Sequence, residues 1–159
     1  MRILLDTNVL VAAFATRGFC SDILQLVLAE HRLVVGETIV EELERILGEK
    51  LRMPDVRVHE VVRFVRDQAD VVAPVEPATW PDTDPADRWI AAAAIVGAVD
   101  VLVTGDRDLL DARPAVGLRI VTPRGLWELL RAARPGEPVE ERMKRQARKR
   151  MKRQARNGA

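Results

Sequence analysis

Three aspartates stand where a folded chain would bring carboxylates together. Asp6 follows the apolar run Ile3-Leu4-Leu5, and Asp106 follows Val101-Leu102-Val103-Thr104-Gly105. Each therefore sits at the exit of a predicted strand. Asp87 falls in the first turn of the helix that precedes the second of those strands. If the two strands are neighbours, the three carboxylates approach one another at one edge of the sheet. Clustered carboxylates repel, and several cannot all ionise at neutral pH without a compensating charge. A hard divalent cation supplies that charge. An all-oxygen ligand set selects Mg²⁺ or Mn²⁺ over Zn²⁺, and the sequence offers no Cys/His set for zinc. An ion so placed activates water and stabilises charge on a phosphoryl group during hydrolysis.

Plainer roles exist for the same residues. An acid after a strand is often only a helix N-cap, and Asp6 or Asp106 alone reads equally well that way. Asp84-Pro85-Ala86-Asp87 is an N-cap, a proline at the first helical position and an acid at the third, which by itself stabilises a helix. Asn8 and Thr104, neutral and polar beside the acids, read as readily as turn hydrogen bonders.

The elements that must position these residues follow from periodicity. Arg2 to Leu5 reads as a first strand, Thr7 to Phe14 as a helix, and Arg17-Gly18 as a break. Ser21 looks like the N-cap of a helix through Glu30. Arg32 to Val35 is a second strand, followed by helices from about Thr38 to Glu49 and from Pro54-Asp55 to about Gln68. Val71 to Ala73 is a short third strand. Pro74 to Pro85 holds four prolines and reads as a loop. Asp84-Pro85 starts a helix to about Ala98, Asp100 to Val103 is strand four, and Asp106 to Leu110 is one helical turn. Leu118 to Val121 is strand five, and Pro123 opens a last helix through Ala133. Strands separated by helices predict a mostly parallel sheet of five strands with helices on both faces. Sites in such folds gather at the carboxyl ends of the strands. No Gly-rich phosphate loop or dinucleotide fingerprint is present.

Bulk properties bound the class. A chain of 159 residues with 48% apolar content fits one globular domain. Its single cysteine, Cys20, allows no intramolecular disulfide and reads as a small packed hydrophobe in a reducing cytoplasm. The start resembles a signal peptide until Asp6 interrupts it. The longest uncharged stretch, Trp89 to Val99, spans 11 residues, too few to cross a bilayer. His31 and His59 read as surface residues, and Trp80, Trp89 and Trp127 as core or interface residues.

The net charge of +1 hides an asymmetry. Val139 to Ala159 carries nine Lys or Arg against two Glu, a net +7. The remaining 16 basic and 22 acidic residues leave −6. MKRQAR occurs twice, at Met143–Arg148 and Met151–Arg156. Met143, Ala147, Met151 and Ala155 fall at helical spacing but form too thin a stripe to dock firmly. The expected organisation is a domain over 1–135 and a basic helical or disordered tail over 136–159. In that tail Lys144, Arg145, Arg148, Lys149, Arg150, Lys152 and Arg153 are candidate phosphate contacts. A solubility tail without any such role is the plainer alternative.

MRILLDTNVLVAA, EELERIL, DTDPADRWIAAAA and LVTGDRDLL, in that order, closely resemble the motifs of PIN-domain proteins, nearest to bacterial toxin-type (VapC-like) nucleases. The resemblance spans roughly Arg2 to Leu130 and excludes the basic tail. It implies an α/β/α sandwich and Mg²⁺- or Mn²⁺-dependent ribonuclease activity. It also implies a cognate antitoxin partner and, commonly, a homodimer. Carried over by motif, the catalytic acids are Asp6, Glu42, Asp87 and Asp106, with Asp6, Asp87 and Asp106 as metal ligands. Asn8, Asp84, Thr104 and Asp108 match auxiliary positions. Helical periodicity alone points Glu41 to solvent but does not choose between Glu42 and Glu44. The family pattern, an acid directly before Leu43, selects Glu42.

Other classes fit less well. A haloacid dehalogenase-type phosphatase needs a second Asp where Asn8 stands, and a lysine where the body has only Lys50. A receiver domain lacks its paired early acids. A structure-specific DNA nuclease shares the fold and the ions but carries long insertions that this chain has no room for. A degenerate PIN module would bind RNA or a protein without cutting, against which the intact acid set argues.

Overall fold

The computed structural model describes residues 1–79, 84–111 and 118–132. Five strands form one sheet: β1 (Arg2–Leu5), β2 (Arg32–Gly36), β3 (Asp70–Val72), β4 (Val101–Val103) and β5 (Arg119–Val121). Their order is β3-β2-β1-β4-β5, and every pairing is parallel. The helices among the described residues are α1 (Thr7–Ala15), α2 (Phe19–Glu30), α3 (Glu37–Arg45), α4 (Asp55–Gln68), α5 (Pro85–Val96), α6 (Arg107–Asp111) and α7 (Pro123–Ala132). This is an α/β/α architecture. The sheet is wholly parallel where the sequence predicted mostly parallel.

A central parallel strand is covered on both faces, so it reads as a continuous apolar run rather than an alternating one. Ile3, Leu4 and Leu5 of β1 are fully buried, and so are Leu102 and Val103 of β4 beside it. The register pairs Ile3 with Val101, Leu4 with Leu102 and Leu5 with Val103. The ladder runs one step further, because Asp6 N–H donates to Val103 O at 2.9 Å. The condition that the first and fourth strands be neighbours is therefore met. The order of connection also reverses between β1 and β4, which is where parallel sheets open a crevice at their carboxyl ends.

The opposite edge of the sheet is tied down by Arg2. Its Nε donates to Gly97 O, its guanidinium pairs with Asp70 at 2.8 Å, and its backbone N–H donates to the Asp100 carboxylate. Stability at one end leaves the other end available for polar groups.

Several boundaries differ from expectation. The second helix begins at Phe19, with Gly18 as its N-cap, so Ser21 lies inside the first turn and does not cap it. Gly18 enters in an extended conformation, and the helix starts three residues early, without any side-chain cap. The helix expected to reach Glu49 instead passes at Ile46–Lys50 into a π-helical turn. It closes on Arg52, which has a positive φ of 51°. The third strand starts at Asp70 rather than Val71. His31 is not a plain surface residue, since both ring nitrogens are out of solvent, whereas His59 is exposed. Trp89 and Trp127 are half-buried, and Trp80 lies outside the described residues. So do the 135/136 boundary and the tail cations Lys144, Arg145, Arg148, Lys149, Arg150, Lys152 and Arg153. The chain divides into two compact units, Met1–Leu126, which holds the sheet, and Trp127–Ala159. Within the second, the Arg131 guanidinium lies 5.7 Å from the Trp127 ring centre. No single helix among the described residues is long and apolar enough to cross a membrane.

The helix that carries Asp87 is seated by small residues. Ala91, Ala92, Ala93 and Ala94 are all buried, and α5 packs on β2. A Cβ added to Gly97 at its C-cap would lie 2.6 Å from Val34 Cγ1 and 2.9 Å from Ala93 O. Backbone and strand leave no room for it. Gly97→Ala is expected to cost about 1–3 kcal/mol, the range for overpacking a tight core, read by urea denaturation.

Candidate active site

Asp6 is built into the junction of β1 and α1. It is only 5% exposed, and Thr104 on the neighbouring strand is 0% exposed. The Asp6 carboxylate accepts three hydrogen bonds. Thr7 N–H donates to Oδ1 at 2.7 Å, while Asn8 Nδ2 at 2.9 Å and Thr104 Oγ1 at 2.7 Å donate to Oδ2. The first bond reaches only the adjacent residue, so the carboxylate is turned into the sheet edge rather than along the helix as an ordinary N-cap would be. Burial pushes the Asp6 carboxyl above its usual value. The bonds from Thr104 and Thr7 oppose that shift, and the nearby charges of Glu42 and Asp106 add to it.

Thr104 joins two of the acids. Its hydroxyl donates to Asp6 and accepts from Asp106 N–H at 3.0 Å and, at 3.3 Å, from Asn8 Nδ2. Asn8 Oδ1 in turn accepts from Gly105 N–H at 3.1 Å. The side chains of Asn8 and Thr104 thus lock the loop after β4 against the start of α1. Asp106 Oδ1 accepts from Asp108 N–H at 2.8 Å, which makes Asp106 the cap of the short α6 as well.

Asp87 lies in the third position of α5. Capping there falls to Asp84, whose Oδ1 accepts from Ala86 N–H at 2.8 Å. The Asp87 carboxyl is pushed up to about 6, first by burial and then by Asp106, Asp84, Asp6 and Asp108, all of them acids. The sequence-predicted acids are therefore one electrostatic cluster, auxiliary positions included.

Glu42 joins from α3. Its Oε2 accepts from Thr7 Oγ1 at 2.8 Å, and it pairs weakly with Arg45 at 3.8 Å. Glu41 and Glu44, exposed like Glu42, make no comparable bond to the β1–α1 junction. Thr7, 4% exposed, is a site residue that sequence reasoning passed over. Its signal was available in its place between Asp6 and Asn8, but threonine at a helix start is too common to stand out. Cys20, expected to pack as a hydrophobe, is half-buried and lines a cavity with Asn8 and Asp106.

The donor set is all oxygen and carries several negative charges in a half-buried place, which suits a hard divalent ion. As the side chains stand, no group of three His, Cys, Asp or Glu among the described residues is arranged to hold one. The chemistry of the donors fits the ion.

A PIN domain family model matches residues 2–108. Among solved structures, the fold is similar to VapBC2 from Rickettsia felis bound to a DNA fragment from its promoter. That match has 15% identity, covers 77% of this chain and 98% of that one, and has a TM-score of 0.58. It is similar to DNA-bound VapBC from Salmonella typhimurium, with 18% identity, the same coverage of 77% and 98%, and a TM-score of 0.58. It is also similar to VapBC-1 from nontypeable Haemophilus influenzae, with 17% identity, coverage of 78% and 99%, and a TM-score of 0.53. No curated protein matches the chain.

The electrostatics set a pH dependence. A carboxyl whose folded value is raised holds its proton longer in the folded chain than in the unfolded one. Metal-free stability therefore falls as pH rises from 3.8 to about 6 through Asp87, and Asp6 acts in the same direction. Glu37, held low by Arg66, acts in the opposite direction, so the comparison must be between variants. Asp87→Asn should be more stable than wild type in EDTA above pH 6, by about 1 kcal/mol after allowing for solvent screening. The difference should vanish below pH 3.8. Urea denaturation of both proteins across that window checks it.

Proposed function

Since the chain belongs to the PIN domain family, we propose that it is a divalent-metal-dependent endoribonuclease, the toxin of a type II toxin–antitoxin pair. The observation that carries this reading is the electrostatic coupling of Asp6 to Glu42 and Asp106 and of Asp87 to Asp106 and Asp6. They come from four separate segments and lie at the carboxyl edge of the sheet where the strand order reverses. Asp6 and Asp87, raised by burial and by their acidic neighbours, are arranged for a cation rather than for stability.

Asp6, Asp87 and Asp106 would hold Mg²⁺ or Mn²⁺, and bound there the ion would supply the charge that activates water and stabilises phosphoryl oxygens. The bonds from Thr104, Asn8 and the Thr7 backbone favour the ionised form of Asp6 against its burial and fix the carboxylate in direction. Glu42 stands outside that trio, oriented by Thr7 Oγ1, and takes the proton of the attacking water. Asp84 and Asp108 keep the surrounding potential negative, which strengthens ion binding. The likeness to VapBC structures supports an antitoxin as protein partner. A PIN module that binds without cutting remains the rival, and cleavage chemistry separates the two.

Single-stranded RNA should be cut with Mg²⁺ or Mn²⁺ present and left intact in EDTA; undiminished cutting in EDTA rules the mechanism out. Asp6→Asn should lower kcat about a hundredfold or more, the scale of losing one charge-stabilising group, with the fold retained. Glu42→Gln should be inactive and Glu44→Gln active; the reverse would move the fourth acid to Glu44.

The charge asymmetry of the chain gives the tail a part in this reading. A body of net −6 repels RNA, and a +7 segment attracts it without sequence preference. Truncation after Pro138 should weaken RNA binding and flatten its salt dependence by about 0.7 in slope per lost phosphate contact. Turnover at saturating RNA should hardly change. Unchanged affinity and slope would leave the tail a solubility device.

A further inference from the structure

Beside the carboxylates lies a cavity of about 320 Å³, lined by Asn8, Val9, Cys20, Gly105, Asp106 and Pro123. We propose that it is a subsite for one nucleobase of the substrate strand, next to the bond that is cut. The proposal rests on the nuclease reading above and adds to it the group that fixes the strand's position.

The lining decides the ligand class. Among the described residues it includes no lysine or arginine, and its one charged member is Asp106, so a phosphate would be repelled from it. Val9, Cys20 and Pro123 offer apolar surface of the kind that a base ring covers. Burial also pushes the Cys20 thiol up, in keeping with an apolar setting. The volume lies at the low end of small-ligand pockets, enough for one base and too little for several. One wall is preset. The Asn8 amide is held on both ends, by Nδ2 bonds to Asp6 and Thr104 and by the Gly105 N–H bond to Oδ1. A base seated here is registered against the same side chain that orients Asp6. Sequence preference would then come from the fit of a base in this cavity, which the acids by themselves do not supply.

Cys20 is the only cysteine in the chain, so a maleimide reads this cavity alone. The test uses the full chain with Mg²⁺ and excess of a short single-stranded oligoribonucleotide of known cleavage point. Bound RNA should slow labelling of Cys20 about tenfold. An abasic nucleotide at one position flanking the cleaved bond should restore labelling and raise KM about tenfold, the scale of one base contact, with kcat nearly unchanged. Cys20→Trp, which fills the cavity, should raise KM similarly and no longer distinguish the abasic strand from the intact one. If that variant does not fold, labelling of the wild-type protein decides the matter. RNA that is cut while Cys20 labels at its free rate overturns the subsite and leaves the nuclease reading standing. RNA that shields Cys20 at one base position without being cut supports the subsite and overturns the nuclease reading. Abasic substitutions with equal effect at every position also overturn the subsite.

Discussion

The arrangement of the acidic cluster turns on one hydrogen bond, from Thr104 Oγ1 to the buried carboxylate of Asp6. A carboxylate taken out of water is unfavourable unless donors replace its hydration. Here three donors do so, and all of them sit where β1 and β4 run side by side. The pairing of these strands is driven by their apolar side chains, which are fully or almost fully buried. The hydrophobic core thus fixes the distance at which Thr104 can serve Asp6, and the polar edge inherits its accuracy from the core. Remove the donor and the same burial that orients Asp6 would favour its neutral form.

The other acids arrive by less demanding routes. Asp106 reaches the cluster because its own N–H bonds the same threonine hydroxyl. Asp87 arrives because alanines let α5 lie close on β2. Capping and membership of the cluster are divided between neighbours. Asp84 caps α5, so that Asp87 three residues on need not. Asp106 stands in the cluster and also caps α6 through Oδ1. The competing cap roles that a sequence suggests for each acid are therefore not exclusive alternatives.

Much of this was legible in the sequence because it follows from short-range pattern. Runs such as Ile3-Leu4-Leu5 and Val101-Leu102-Val103 announce buried strands, and the acids after them announce a polar edge. What pattern does not carry is which strands are adjacent, so it offers the β1–β4 pairing only as a condition. Helix ends set by backbone conformation were misplaced. Ser21 has the chemistry of a cap, but Gly18 sets the start, and the π turn at Ile46–Lys50 leaves no mark in periodicity. Periodicity could not separate Glu42 from Glu44, since both flank the apolar stripe of α3. What distinguishes them in the structure is Thr7, a contact between residues 35 positions apart. The cavity at Cys20 was illegible for the same reason, because its walls come from α1, α2, the loop after β4 and the start of α7.

The Thr104–Asp6 bond joins residues 98 positions apart in the chain. During synthesis Asp6 emerges early and Thr104 late, and domains fold from the N-terminus as they are made. Until β4 has left the ribosome, the central strand lacks a neighbour and Asp6 lacks its deepest donor. Asp106, which follows β4 in the chain, is likewise missing from the site. An unfinished chain therefore holds no assembled carboxylate cluster. The order of strands in the sheet acts as a timing device, one that delays the site until almost all of the first compact unit exists.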